Sequence, residues 1–287
     1  MLDVRKLRLL RELAHRGTIA AVAEALTYTP SAVSQQLTAL ERETGVPLLE
    51  RTGRRVQLTP AARRLVERTE SILAILQEAT AELASTALTG TLRIGVFPTA
   101  VPTILTPAVV ALSTDHPGLD LMISELDPAA VPDALRDESL DVALVHEYDY
   151  VPVASDPGLE TEPLLEETVH LAALTAEPLA VRRDAAWIAG TTGTLCHALT
   201  IRACEAAGFT PRVRHHADDF GAVLALVAAG QGVALVPDLG AASPPQNVVL
   251  TPLPIRRRTH LAYRKGTANH PAISAARLAL HAAAASA

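Results

Sequence analysis

Two sets of residues in this chain, most of them polar, have the types and spacing to do chemistry. The first is compact: Thr29-Pro30-Ser31, then Ser34, Gln35 and Gln36. Short hydroxyl side chains let a backbone come close to a nucleic acid, and glutamine amides pair with adenine edges or phosphates. Gly53-Arg54-Arg55 follows as a basic turn, and guanidinium groups are drawn to narrow A/T-rich minor grooves. The second set is dispersed: Thr99, His146, Thr194, Cys196, Asp218 and Phe220. Each stands where a strand-like segment ends or a helical one begins, a position from which a side chain can meet a small ligand. Ordinary roles fit these six as well. Thr99 reads equally as a helix cap, His146 as a satisfied surface histidine, and the other four as caps or packing residues.

Catalytic and metal chemistry find little support. Gly190-Thr191-Thr192-Gly193 lacks the lysine of a phosphate-binding loop, and neither a serine nucleophile elbow nor a paired-histidine zinc helix is present. Cys196-His197 and His215-His216 with Asp218 and Asp219 are suitable zinc or copper ligands. Adjacent histidines on a strand point to opposite faces, so at most one of the pair could join. No catalytic residue, metal or cofactor is expected.

The elements that would position these residues follow from periodicity. Val4, Leu7, Leu10 and Leu13 make an amphipathic helix over 4–16, stopped by Gly17. Thr18 caps a short second helix, and Thr29 with Pro30 opens a third that ends at Gly45. Val33, Leu37 and Leu40 form its inward face, and Ser31, Ser34, Gln35 and Thr38 the other. Three helices followed by a basic hairpin describe a winged helix-turn-helix. Residues 61–88 predict a long helix in which Leu65, Thr69, Ile72, Leu76, Ala79, Leu83 and Thr86 mark a heptad seam. Beyond Thr89-Gly90, strands and helices alternate in two similar sets, which implies two α/β lobes with a cleft between them.

Composition agrees. Residues 1–64 hold 11 Lys or Arg against 6 Asp or Glu, while the rest holds 14 against 25. A basic head on an acidic body places a nucleic-acid surface at one end. The two cysteines do not suggest a disulfide framework. The charged N-terminus does not resemble a signal peptide and no apolar run predicts a membrane span, so a cytoplasmic location is expected.

The segment AAVAEALTYTPSAVSQQLTALERETGVPLLERTGRRVQLTPAA resembles the LysR-type transcriptional regulators, as do the strand TLRIGVF and the late block GFTPRVRHHADDFGAVLALVAAGQGVALVP. Pro30, Gln35 and Leu49 depart from the residues common there. The resemblance implies an α/β chain with an N-terminal all-α winged helix-turn-helix over 1–60 and a dimerising linker helix over 61–89. Over 90–287 it implies a two-lobed effector domain like periplasmic binding proteins, with lobe I about 90–163 and 264–287 and lobe II about 164–263. It further implies a sequence-specific regulator that binds operator DNA through Thr29, Pro30, Ser31, Ser34, Gln35, Gln36, Arg54 and Arg55. Leu65, Ile72, Leu76, Ala79 and Leu83 would carry a homodimer or homotetramer, with RNA polymerase a further partner. An effector, expected to be anionic, would sit against Thr99, His146, Thr194, Cys196, Asp218 and Phe220. The competing reading is an α/β binding module or enzyme whose N-terminal helices serve only assembly.

Overall fold

The computed structural model describes residues 2–52, 55–83, 88–151 and 156–287. Backbone contacts divide the chain into two units. One is residues 1–84 with the short segments 157–159 and 264–270; the other is the remainder.

The first unit begins with α1 (Val4–Arg16), α2 (Ile19–Ala25) and α3 (Pro30–Thr44). Their ends are set by local chemistry. Asp3, Thr18 and Thr29 each accept an N–H of the first turn from Arg5, Ala21 and Ala32, satisfying donors a helix start would otherwise orphan. Gly45 closes α3 in the left-handed region at φ 70°, which a side chain would resist. The core is Leu7, Leu10, Leu13, Val22, Val33, Leu37, Leu40 and Leu48. Glu41 then reaches forward. Its Oε1 accepts the Leu48 and Leu49 N–H groups at 2.8 and 3.0 Å and fixes where the next strand starts.

That strand, β1 (Leu49–Thr52), pairs antiparallel with β2 (Arg55–Leu58). Arg55 pairs with Thr52, so it belongs to the ladder rather than to the expected three-residue turn. The other two turn residues, Gly53 and Arg54, lie outside the described residues.

Thr59 caps α4 (Pro60–Leu83) through the Ala62 N–H at 3.1 Å. The helix starts one residue earlier than expected and does not reach Leu88, which has no regular structure; Thr86 lies outside the described residues. The upper heptad positions do intramolecular work. Leu65 and Ile72 pack on the three-helix core, and Thr69 is fully buried. A buried polar network, Arg11–Glu12–Arg16 with His15 and Glu70, ties α1 to α4. Burial alone would raise the Glu12 carboxyl, but hydrogen bonds and charge from Arg16 and Arg11 outweigh it and hold the group below its ordinary value.

In the second unit, β3 (Gly90–Val96) pairs parallel with β4 (Leu119–Glu125) and β5 (Val142–Tyr148). The crossovers carry α5 (Thr106–Asp115) and α6 (Val131–Arg136). Two long strands, β6 (Leu159–Ala173) and β10 (Val249–Arg264), extend the sheet, whose order is β4-β3-β5-β10-β6-β9 with β9 at Ala234–Pro237. A second, two-stranded parallel sheet is made by β7 (Ala186–Ala189) and β8 (Arg212–His216). It packs with α7 (Leu195–Ala206) and α8 (Phe220–Ala228) around Trp187, Leu199, Phe209, Val223 and Leu235. The closing helix α9 (Pro271–Ala284) returns to pack on α5. Among the described residues no helix is long and apolar enough to cross a membrane.

Candidate functional site

The first candidate surface is the outer side of α3. With Val33, Leu37 and Leu40 buried, the helical repeat turns Ser31, Gln35 and Thr38 to the opposite side, and all three are exposed. Ser34 is half-buried on its margin. Thr29 and Pro30 are exposed at the start of the helix, where the Thr29 hydroxyl also meets Ser31 Oγ at 3.1 Å. Gln36 is exposed but sits on a flank, one residue before Leu37, away from the Ser31–Gln35–Thr38 side.

The second is a cavity of about 570 Å3 in the second unit, at the carboxyl ends of β3 and β4 and the N-terminal ends of α7 and α8. All six dispersed residues, Thr99, His146, Thr194, Cys196, Asp218 and Phe220, line it. Different elements deliver them. Thr99 lies in a 3-10 turn (Pro98–Ala100) directly after β3, and His146 on β5. Thr194 caps α7, accepting the His197 N–H, and Cys196 stands in its first turn. Asp219 caps α8, with Asp218 before it and Phe220 as the first helical residue. Gly190 makes the α7 approach possible: a Cβ there would fall 2.7 Å from Thr194 Oγ1. Asp218 holds the same loop through the Thr191 N–H at 2.7 Å and hydroxyl at 2.6 Å.

The expected helix start at Thr99 takes a different form. A 3-10 turn runs into a π-helical turn (Val101–Leu105) before α5 begins. Pro98 and Pro102 contribute no N–H, and the Ala100 N–H bonds Phe97 O within the turn. With the Val101 N–H bonded to Pro98 O as well, the segment presents fewer unbonded amides than the regular helix start expected there.

Sequence reasoning missed Arg257. It lines the cavity from β10, is 1% exposed, and grips Glu167 of β6 with Nε and Nη2 at 2.7 and 3.0 Å. Glu167 also accepts the Leu239 N–H at 2.7 Å. Arg257 lies over the Phe97 ring at 5.1 Å. Beside it, His146 is edge-on to Phe97 and Tyr148. Burial, reinforced by the Arg257 charge, pushes the imidazole down to about 3, so it is neutral at physiological pH. The Tyr148 hydroxyl meets Cys196 Sγ at 3.4 Å. Burial raises the Cys196 thiol above its ordinary value. The remaining charged lining is acidic: Glu125, Asp127, Asp218 and Asp219.

Of the metal-ligand types, His197 and His216 come together. Their rings stack at 5.7 Å and both Nδ1 atoms bond Gly190 O. Among the described residues no group of three or more His, Cys, Asp or Glu side chains could hold a metal ion.

Comparison with known proteins covers nearly the whole chain. Residues 4–63 match the model described as bacterial regulatory helix-turn-helix protein, lysR family, and residues 85–285 the LysR substrate binding domain. The transcriptional dual regulator GltC of Bacillus subtilis is 27% identical over 249 residues, covering 83% of this chain and 81% of that protein. A probable hydrogen peroxide-inducible genes activator of Mycobacterium xenopi is 35% identical over 179 residues, 62% of this chain and 92% of that one. Among solved structures, an H2O2-bound OxyR cysteine mutant from Corynebacterium glutamicum aligns with a TM-score of 0.58 at 26% identity, covering 99% of this chain and 95% of its own.

Proposed function

The chain belongs to the LysR family of bacterial regulators, and from that membership we propose that its α3 surface reads operator DNA while its cavity takes the controlling small molecule. It is a DNA-binding transcription regulator with an effector-binding domain, and its relatives are regulators rather than enzymes, which sets aside the assembly-module alternative. The observation that carries the assignment of the reading surface is the exposed Ser31–Gln35–Thr38 side opposite a fully buried one. Ser31, Ser34 and Gln35 face base edges in the major groove, Thr29 and Pro30 sit at the phosphates, and Gln36 contacts backbone from the flank. Arg54 and Arg55 meet the duplex beside it.

The lower half of α4 carries self-association. Leu76, Ala79 and Leu83 are exposed, unlike the upper positions already used by the head. Ligand binding acts by linkage: a molecule that prefers one arrangement of the effector domain biases the spacing of the DNA-reading heads. Thr99→Val keeps the side-chain shape and removes the hydroxyl. It is expected to weaken the effector's influence on DNA binding, measured by anisotropy of labelled promoter DNA, with effector-free binding intact. A normal effector response in that variant would remove Thr99 from the site.

A second reading, oxidant sensing, has the presence of Cys196 in the cavity in its favour, since four relatives are named as probable hydrogen peroxide-inducible genes activators. The local chemistry disfavours it. A raised thiol yields little of the thiolate that attacks peroxide. Cys204 is fully buried and eight residues along the same helix, roughly 12 Å away in rise, too far for a disulfide without unwinding. Peroxide treatment separates the two readings: oxidant sensing predicts a change in DNA binding that Cys196→Ser abolishes, and ligand control predicts no peroxide response in the wild type.

A further inference from the structure

The cavity holds buried polar atoms that have no hydrogen-bond partner in the protein. At its floor, His146 is 7% exposed, and neither ring nitrogen has a protein partner. Thr99 Oγ1 is likewise buried and unpartnered. Buried polar atoms in this condition are costly unless something hydrogen-bonds them. A neutral imidazole offers one donor and one acceptor, and a hydroxyl offers both. This floor therefore fits a group that both gives and receives hydrogen bonds, which a carboxylate cannot do.

Charge at the rim points the same way. The Arg257 guanidinium lines the cavity and is paired through Nε and Nη2 with Glu167, which stands behind it outside the lining. Glu125, Asp127, Asp218 and Asp219 outnumber that one guanidinium in the lining. Asp127 and Asp219 each use one oxygen to cap an N–H, of Ala129 and Ala222. Phe97 and Phe220 supply apolar contact between floor and rim.

We propose that the cavity is built for an organic amine that also carries an uncharged hydrogen-bonding group, and that it discriminates against carboxylates. The uncharged group bonds Thr99 and His146, and the ammonium lies against Asp127 and Asp219. This inference rests on the reading of the cavity as the effector site.

A matched trio of probes tests it: tyramine, tyrosol and 4-hydroxyphenylacetate share a phenol and differ in bearing an ammonium, a hydroxyl or a carboxylate. Each is titrated calorimetrically into the full chain, into Thr99→Val and into an Asp127→Asn/Asp219→Asn double variant. Asparagine caps helices as well as aspartate does, so this variant changes charge and keeps the caps. Tyramine is expected to bind about fivefold or more tighter than tyrosol, with 4-hydroxyphenylacetate weakest. The double variant is expected to bring the tyramine-to-tyrosol ratio toward one, and Thr99→Val to weaken both. Tightest binding by 4-hydroxyphenylacetate, lost in Thr99→Val, would overturn the charge inference and leave the effector site standing. No binding by any of the three would overturn both.

Discussion

Arg257 and Glu167 form a two-armed ion pair, Nε to Oε2 at 2.7 Å and Nη2 to Oε1 at 3.0 Å, with 1% and 3% of the two residues exposed. The pair joins β10 to β6, the two long strands beside the cavity. Removing one partner leaves the other charge buried without compensation, which costs about 3 kcal/mol or more. Glu167→Gln is therefore expected to lower the stability of the effector unit by about that amount. Urea unfolding followed by the fluorescence of Trp187, the single tryptophan and fully buried, reads it. Adding Arg257→Met should recover part of the loss, and fully additive losses would mean the two side chains act independently.

His146 makes stability depend on pH. Its folded value of about 3 lies below the ordinary 6.5, so the unfolded chain binds the extra proton. The folded state keeps its full advantage above the unfolded value and loses it as the pH falls through 6.5 toward 3. At about pH 5 the loss attributable to this group is about 2 kcal/mol relative to neutral pH. His146→Gln is expected to flatten that part of the pH profile. An unchanged slope would mean the imidazole is not buried in the neutral form.

On α4, Leu76 is 46% and Leu83 87% exposed in the single chain. Leu76→Asp places an unpaired carboxylate in the expected seam, and dimerisation is expected to weaken by at least about tenfold. Sedimentation of the full chain measures it. An unchanged mass would show that the lower seam does not carry the association.

The head was legible in the sequence because its signals are local. Thr18, Thr29 and Pro30 open helices and Gly17 and Gly45 close them within a few residues of where they act. The heptad seam was legible only as a pattern. Which copy of the chain covers Leu65 and Ile72 depends on tertiary packing, and the head claims them first. The strand β7 is hard to read from sequence because Ala-Trp-Ile-Ala is four residues of nearly continuous burial, without the alternation that marks a half-exposed strand. Arg257 sits in a run of three arginines that reads as a solvated loop. Carrying the inward alternation of Thr259, Leu261 and Tyr263 back by one step would have placed it on the cavity face. The cavity residues themselves could be named because they lie at strand ends and helix starts, whereas their shared electrostatics needed Glu167, 90 positions from Arg257.

The most direct measurement is DNA binding by the full chain. Fluorescence anisotropy on the DNA upstream of its own coding sequence is followed from about 50 to 200 mM salt, in the wild type and in Ser31→Asp/Gln35→Glu. Both substitutions lie on the exposed side of α3, and that at Ser31 falls in the first turn, where the helix tolerates an acidic residue. The wild type is expected to bind tightly at low salt and to lose about a thousandfold in affinity across the range, while the variant, folded by circular dichroism, binds at least about a hundredfold more weakly. Equal affinity of the two proteins, or no salt dependence in the wild type, would contradict the assignment of α3 as the DNA-reading element.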